Sequence, residues 1–125
     1  MAKILIVEDS EFERELLSDL LGSAGHEVVE VPAAHLALEA AKRELPRLVV
    51  MDIDCPGPGD GLRAIAELRA DPATRGLAVV AMSGHLMDNH IAKAREAGCD
   101  DYVFKPYDFD AFLAVVARHL PPEAR

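Results

Sequence analysis

The chain is 125 residues long and 50% hydrophobic, enough to bury a core and short enough for one domain spanning residues 1–125. Its 22 acids against 13 bases give a formal net charge of -9, a surface that repels phosphate backbones and argues against direct nucleic-acid binding. No apolar run is long enough to cross a bilayer, and the opening residues meet Glu8 before a secretory signal could form, so a soluble, cytoplasmic chain without membrane contact is expected.

With no Trp and only 5% aromatic residues, the core must come mostly from Leu, Val, Ile and Ala. KILIV at 3–7 is a short β-branched run and reads as the first strand. Phe12, Leu16, Leu17 and Leu20 then share one helical face, which ends near a C-cap at Gly25. EVVEV at 27–31 is the second strand, and the Ala- and Leu-rich stretch 34–44 the second helix, stopped by Pro46. RLVVMD at 47–52 is the third strand. It runs into MDIDCPGPGDG, which sets three aspartates, three glycines and two prolines in a loop. A helix over 61–70 carries Leu62, Ile65 and Leu68, with Asp71-Pro72 beyond it. LAVVAM at 77–82 is the fourth strand, followed by a helix over 86–97 that Gly98 closes. DYVF at 101–104 is the fifth strand. Asp108 then caps a last helix over 109–120, with Phe109, Phe112, Leu113, Val116 and Leu120 at i, i+3, i+4, i+7 and i+11.

The first, third and fourth strands are apolar nearly throughout instead of alternating, the mark of a parallel sheet covered on both faces. Right-handed crossovers then give an α/β, doubly wound (βα)5 sandwich. Such sheets bind ligands beyond the carboxyl ends of their strands, where the winding reverses. Four strands end there in polar residues: Glu8-Asp9 after the first, Asp52 after the third, Ser83 after the fourth and Lys105 after the fifth.

Three carboxylates in one crevice repel strongly. A pair about 5 Å apart at an effective dielectric of about 20 costs roughly 3 kcal/mol. The cluster makes sense with a divalent cation, and an all-oxygen ligand set points to Mg²⁺ or Mn²⁺ and away from zinc. A hard cation that keeps part of its hydration shell usually shares its site with a phosphoryl group. Lys105 and the Ser83 hydroxyl would hold further phosphoryl oxygens.

The motifs VED at 7–9, D-x-x-x-P from Asp52 to Pro56, AMSG around Ser83 and AGCDDYVFKP ending in Lys105-Pro106 resemble those of response-regulator receiver domains of the CheY-like superfamily. The resemblance covers essentially the whole chain. It implies a flavodoxin-like five-stranded sheet of order 2-1-3-4-5, with Asp52 as phosphoacceptor. It further implies Asp9 as a direct Mg²⁺ ligand, Glu8 as a water-mediated one and the backbone carbonyl of Asp54 as another. Ser83 then corresponds to the switch hydroxyl, Tyr102 to the rotating aromatic, and Lys105 to the site lysine, whose following Pro106 is typically cis. The implied partners are a sensor histidine kinase or histidine phosphotransfer protein, and a downstream protein that reads helix 86–97, strand 101–104 and helix 109–120. The chain would be a monomer or an activation-dependent dimer. It would be a signalling phosphoacceptor of a bacterial two-component relay, assisting its own modification, and not an enzyme in its own right.

Three features depart from that pattern. Gly61 lies nine residues after Asp52 where receivers usually have eight, and no bulky apolar residue follows Pro56 by two. Asp54 adds a fourth carboxylate. Ser83 and Gly84 stand where Thr and Ala are commoner.

Plainer roles compete for each residue. Glu8-Asp9 could be first-turn acids of the helix that follows. Ser83 could be a helix N-cap, Lys105 a surface ion-pair partner and Tyr102 ordinary packing. His85, two after Ser83, sits where receivers tune phosphoryl lifetime, or in an exposed loop. His26, His35, His90 and His119 read as solvated, and Cys55 and Cys99 as reduced thiols, Cys99 a buried structural one. Two rival functions remain: a receiver fold that docks partners without phosphorylation, and a flavodoxin- or phosphatase-like protein. The second needs a Ser/Thr/Gly-rich first turn, which Val7–Phe12 lacks.

Overall fold

The β-branched runs form five parallel strands in the computed structural model, which describes residues 2–54, 57, 59–84 and 88–124. They are β1 (Lys3–Val7), β2 (Glu27–Val31), β3 (Leu48–Asp52), β4 (Ala78–Ser83) and β5 (Asp101–Phe104), arranged β2-β1-β3-β4-β5. Helices α1 (Glu11–Ser23), α2 (Ala37–Glu44), α3 (Asp60–Ala70), α4 (Asp88–Ala97) and α5 (Phe109–Arg118) make the connections. This is the doubly wound sandwich that the alternation of patterns predicts. Among the described residues, no helix is long and apolar enough to cross a membrane.

Side chains alternate across the sheet, so each strand feeds two cores. Leu5, Val7, Val49, Met51, Val79 and Ala81 face one layer, built by Ala37 and Ala41 of α2, Ile65 and Leu68 of α3 and Ala94 of α4. Ile4, Ile6, Leu48, Val50, Val80 and Met82 face the other, built by Leu17 and Leu21 of α1 and Phe112 and Val116 of α5. All five residues of β3 are buried. That two-sided burial is why the strand reads as a continuous apolar run ending in a single acid.

Several local expectations shift. The inward residues of α1 are Leu17 and Leu21, whereas Phe12 is 76% exposed. Phe12 lies five and nine positions before Leu17 and Leu21, which at the helical repeat puts it on the opposite side of α1. The stretch 34–44 divides into a 3-10 turn at Ala34–Leu36 followed by α2. Leu120 falls beyond the end of α5 but stays buried. Two histidines expected in solvent are tied down: His26 Nδ1 accepts the Ala2 N–H at 3.1 Å, and His119 Nε2 lies 2.9 Å from Asp101 Oδ2. Cys99 is a half-buried free thiol whose pKa burial pushes up.

Arg69, in the last turn of α3, binds two segments, 75–77 and 98–100, that lie apart in sequence. Its Nε donates to Gly98 O at 2.7 Å, and Nη1 donates to the carbonyls of Arg75 and Leu77. Its Nη2 lies 2.8 Å from Asp100 Oδ2, which also accepts the Val79 N–H. Gly98 makes this possible. It follows α4 with φ at 117°, and a Cβ there would lie 2.5 Å from Arg69 Cγ. Arg69→Ala is expected to lower the unfolding free energy by about 2 kcal/mol, because several carbonyls lose a charged donor. Urea unfolding checks it, and a change under about 0.5 kcal/mol, the size usual for surface substitutions, would contradict this role.

Candidate functional site

The site begins where β1 ends. Glu8 is 1% exposed, and its N–H still reaches across to Val31 O at 3.2 Å. Ser10 caps α1 by accepting the Glu13 N–H at 3.3 Å, and its own N–H donates to Glu8 Oε1 at 3.2 Å. The helix is therefore capped by Ser10, and the second oxygen of Glu8 turns to Lys105.

Asp52, at the end of β3, is 8% exposed. Its Oδ1 accepts the Asp54 N–H at 3.0 Å, and Lys105 Nζ lies 3.0 Å from its Oδ2. Lys105 follows β5, held in register by its N–H to Ser83 O at 2.9 Å, and precedes a cis bond to Pro106. The same ammonium group lies 3.1 Å from Glu8 Oε2 and 2.7 Å from Glu13 Oε2. Ser83 is fully buried as the last residue of β4, and its Oγ donates to Asp54 Oδ2 at 2.8 Å.

Sequence reasoning missed Glu13. A search of strand ends could not find it, but the Ser10 cap could have. A residue three positions into a capped helix lies over the edge from which that helix starts. Asp9, by contrast, is exposed. The Tyr102 ring packs on Phe104, with centroids 5.0 Å apart. Its hydroxyl is enclosed and makes no hydrogen bond of good geometry. His85 and Leu86, like Cys55, Pro56 and Pro58, lie outside the described residues, as does the side chain of His90.

Charge and burial compete here. Burial pushes the Glu8 carboxyl up to about 9, with Asp52 and Glu13 acting in the same direction and Lys105 against them. Burial alone would raise Asp52 too. Instead the bonds from Glu8, the Asp54 N–H and Lys105 hold it below the usual carboxylate range. Glu13 is likewise lowered against its burial, through Lys105 and Glu8. Lys105 keeps its proton despite burial, because Glu13, Asp52 and Glu8 raise its pKa. At neutral pH a protonated Glu8 thus sits between two carboxylates that share one ammonium group.

Glu8, Glu13 and Asp52 each offer an oxygen, all within 4.8 Å of one another. Three hard oxygen donors with no nitrogen or sulfur suit Mg²⁺ or a similar cation, which would take the place of the proton on Glu8.

Asp60, the first residue of α3, is tied back to Gly57. Gly57 N–H donates to Asp60 Oδ2 at 3.0 Å and Asp60 N–H to Gly57 O at 3.1 Å, so α3 starts from a tight turn. Gly61 then meets β3 directly, its N–H donating to Ile53 O at 2.9 Å. A Cβ on Gly61 would lie 2.3 Å from Ile53 Cα and 2.5 Å from Asp52 O. Only glycine lets α3 approach this closely, which braces the backbone that carries Asp52.

The family profile of the response regulator receiver domain matches residues 4–117. The polar-differentiation response regulator DivK of Brucella ovis is 30% identical over 117 residues, covering 94% of this chain and 94% of DivK. The response regulator protein FleR of Pseudomonas aeruginosa is 39% identical over 118 residues. These make up 94% of this chain but only 24% of FleR. The receiver domain of the sensor histidine kinase PA1611 from Pseudomonas aeruginosa superposes with a TM-score of 0.85 at 26% identity, covering 94% of this chain and 95% of that one. That domain was solved with a magnesium ion coordinated in its active-site cleft.

Proposed function

Because the chain belongs to the response regulator receiver domain family, we propose that Asp52 accepts a phosphoryl group from the phosphohistidine of a histidine kinase or histidine phosphotransfer protein. The observation that carries this is the Asp52 carboxylate itself. It is buried at the carboxyl edge of the sheet, ionised, and held between the Asp54 N–H at 3.0 Å and Lys105 Nζ at 3.0 Å.

An Asp52 oxygen attacks phosphorus, the P–N bond breaks with its electron pair returning to the imidazole, and an acyl phosphate results. Lys105 neutralises charge as it builds on the phosphoryl oxygens, loosening its hold on Glu13 and Glu8. Glu8 and Asp52 are the residues of this site that would hold Mg²⁺, with Mn²⁺ as a substitute. Asp9 and the Asp54 backbone carbonyl are the further ligands implied by the family, and Glu13 is an additional carboxylate at hand. When bound, the cation would supply neutralisation of negative charge at the reacting centre. To serve as a ligand, Glu8 would have to release its proton to solvent.

The product carries roughly 1.5 to 2 added negative charges. These draw Ser83 and Lys105 inward, and the space Ser83 leaves biases Tyr102 and the face formed by α4, β5 and α5 toward a partner-binding state. Hydrolysis of the acyl phosphate resets the protein. The setting we propose is a bacterial, cytoplasmic relay in which residues 1–125 act as one receiver. A downstream protein reads the switched face of a monomer or of an activation-dependent dimer.

Labelled phosphoramidate with Mg²⁺ tests this chemistry. A label that hydroxylamine removes and EDTA prevents is expected, because an acyl phosphate is cleaved by that nucleophile and its formation needs the cation. A label that resists hydroxylamine, or one unaffected by EDTA, would contradict the reading. No label at all would favour a docking module that works without phosphorylation.

A further inference from the structure

We infer that the Asp54 carboxylate is a positioning residue that holds the Ser83 hydroxyl away from Asp52 in the unphosphorylated protein and so limits how readily a phosphoryl group is captured. The inference rests on the phosphoacceptor reading above. Two groups of residue 54 act separately: its N–H donates to Asp52 Oδ1 at 3.0 Å, while its carboxylate accepts from Ser83 Oγ at 2.8 Å. A serine hydroxyl has one proton to donate. While that proton is on Asp54, it is not available to a phosphoryl oxygen on Asp52. The bond is charge-assisted and its donor is fully buried, so it is stronger than an ordinary hydroxyl contact. Ser83 has little freedom to serve both acceptors, because it is the last residue of β4, in register with Phe104, and its carbonyl accepts the Lys105 N–H. Phosphorylation therefore has to break the Ser83–Asp54 bond before the hydroxyl can move.

Every residue except proline keeps the backbone N–H that serves Asp52, so side-chain variants at 54 isolate the carboxylate. The probe is beryllofluoride with Mg²⁺, a stand-in for the phosphoryl group, with affinity read by calorimetry. Asp54→Ala is expected to bind about tenfold more tightly than wild type, the size of one charge-assisted hydrogen bond no longer opposing capture. Asp54→Asn should fall between the two, because its amide oxygen still accepts from Ser83 but without charge. In a Ser83→Ala background the Asp54→Ala gain should vanish. Affinity of Asp54→Ala within twofold of wild type would overturn the inference. So would an equal gain in the Ser83→Ala background, which would make Asp54 a simple repelling charge.

A second measurement needs neither cation nor probe. In the metal-free protein, losing either residue should lower Tm, and losing the second should add little. Fully additive shifts would overturn the inference. Failure of wild type and every variant to bind beryllofluoride would instead overturn the phosphoacceptor reading, an outcome distinct from binding that position 54 does not influence.

Discussion

Gly61→Ala is expected to cost about 3 kcal/mol and to displace the backbone that presents Asp52, because an added methyl has nowhere to go. The Cβ would overlap Ile53 Cα at 2.3 Å and Asp52 O at 2.5 Å, both backbone atoms that no rotamer change can move aside. Either α3 lifts off the sheet, opening the core around Ile65 and Leu68, or the end of β3 is pushed toward Lys105. Gly22→Ala is the internal control. Gly22 lies within α1, and nothing approaches a Cβ there within 4 Å. That substitution should be neutral or stabilising by up to about 0.5 kcal/mol, because Gly22 stands in the last turn of the helix with open space around it. Urea unfolding of both variants, with the amide resonance of Asp52 as a local probe, separates a clash at the site from a general glycine effect. Equal behaviour of the two variants would contradict the close approach.

Lys105→Met should be the most damaging side-chain change at the site. It removes the one ammonium group that Glu8, Glu13 and Asp52 share at 3.1, 2.7 and 3.0 Å. Uncompensated buried charge costs about 3 kcal/mol, and the loss should depend on pH. In wild type the folded pKa values of Asp52 and Glu13 are depressed, so their contribution is present above the unfolded values near 3.8 and 4.5 and is lost as pH falls through the folded ones. Without Lys105 those pKa values rise. The variant then loses stability as pH climbs, and the gap to wild type should widen from pH 5 to pH 8. Glu8, already raised to about 9, contributes stability that is complete below 4.5 and fades as pH rises toward 9 in wild type. Millimolar Mg²⁺ should narrow the gap at pH 8, since carboxylates freed of the Lys105 ammonium hold the cation more tightly than those of wild type, and the folded variant gains more from binding it. A gap independent of pH would mean that Lys105 acts through packing alone.

The sheet was legible because burial on both faces leaves a direct trace. β1, β3 and β4 read as unbroken apolar runs, and their polar ends fall on one edge whatever the details of the helices. That is also why Glu8, Asp52, Ser83 and Lys105 could be named together from sequence. Less legible were features set by how a helix is rotated or capped. The phase of α1 was misjudged at Phe12, and Glu13 escaped notice, because both depend on Ser10 fixing where that helix begins. The Ser83–Asp54 bond was hidden for a different reason. Asp54 read as one more acid in an acidic loop, and only the pairing of β3 with β4 brings its carboxylate to a hydroxyl 29 residues away. The spacing of nine between Asp52 and Gly61 could not show that Gly61 packs directly against β3, where its N–H donates to Ile53 O.

The central claim is that Asp52 is the phosphoacceptor, and the intact mass of the protein after treatment with acetyl phosphate and Mg²⁺ tests it most directly. The account predicts the gain of a single phosphoryl group in wild type and none in Asp52→Asn. An unmodified wild type, or the same gain in Asp52→Asn, would contradict it.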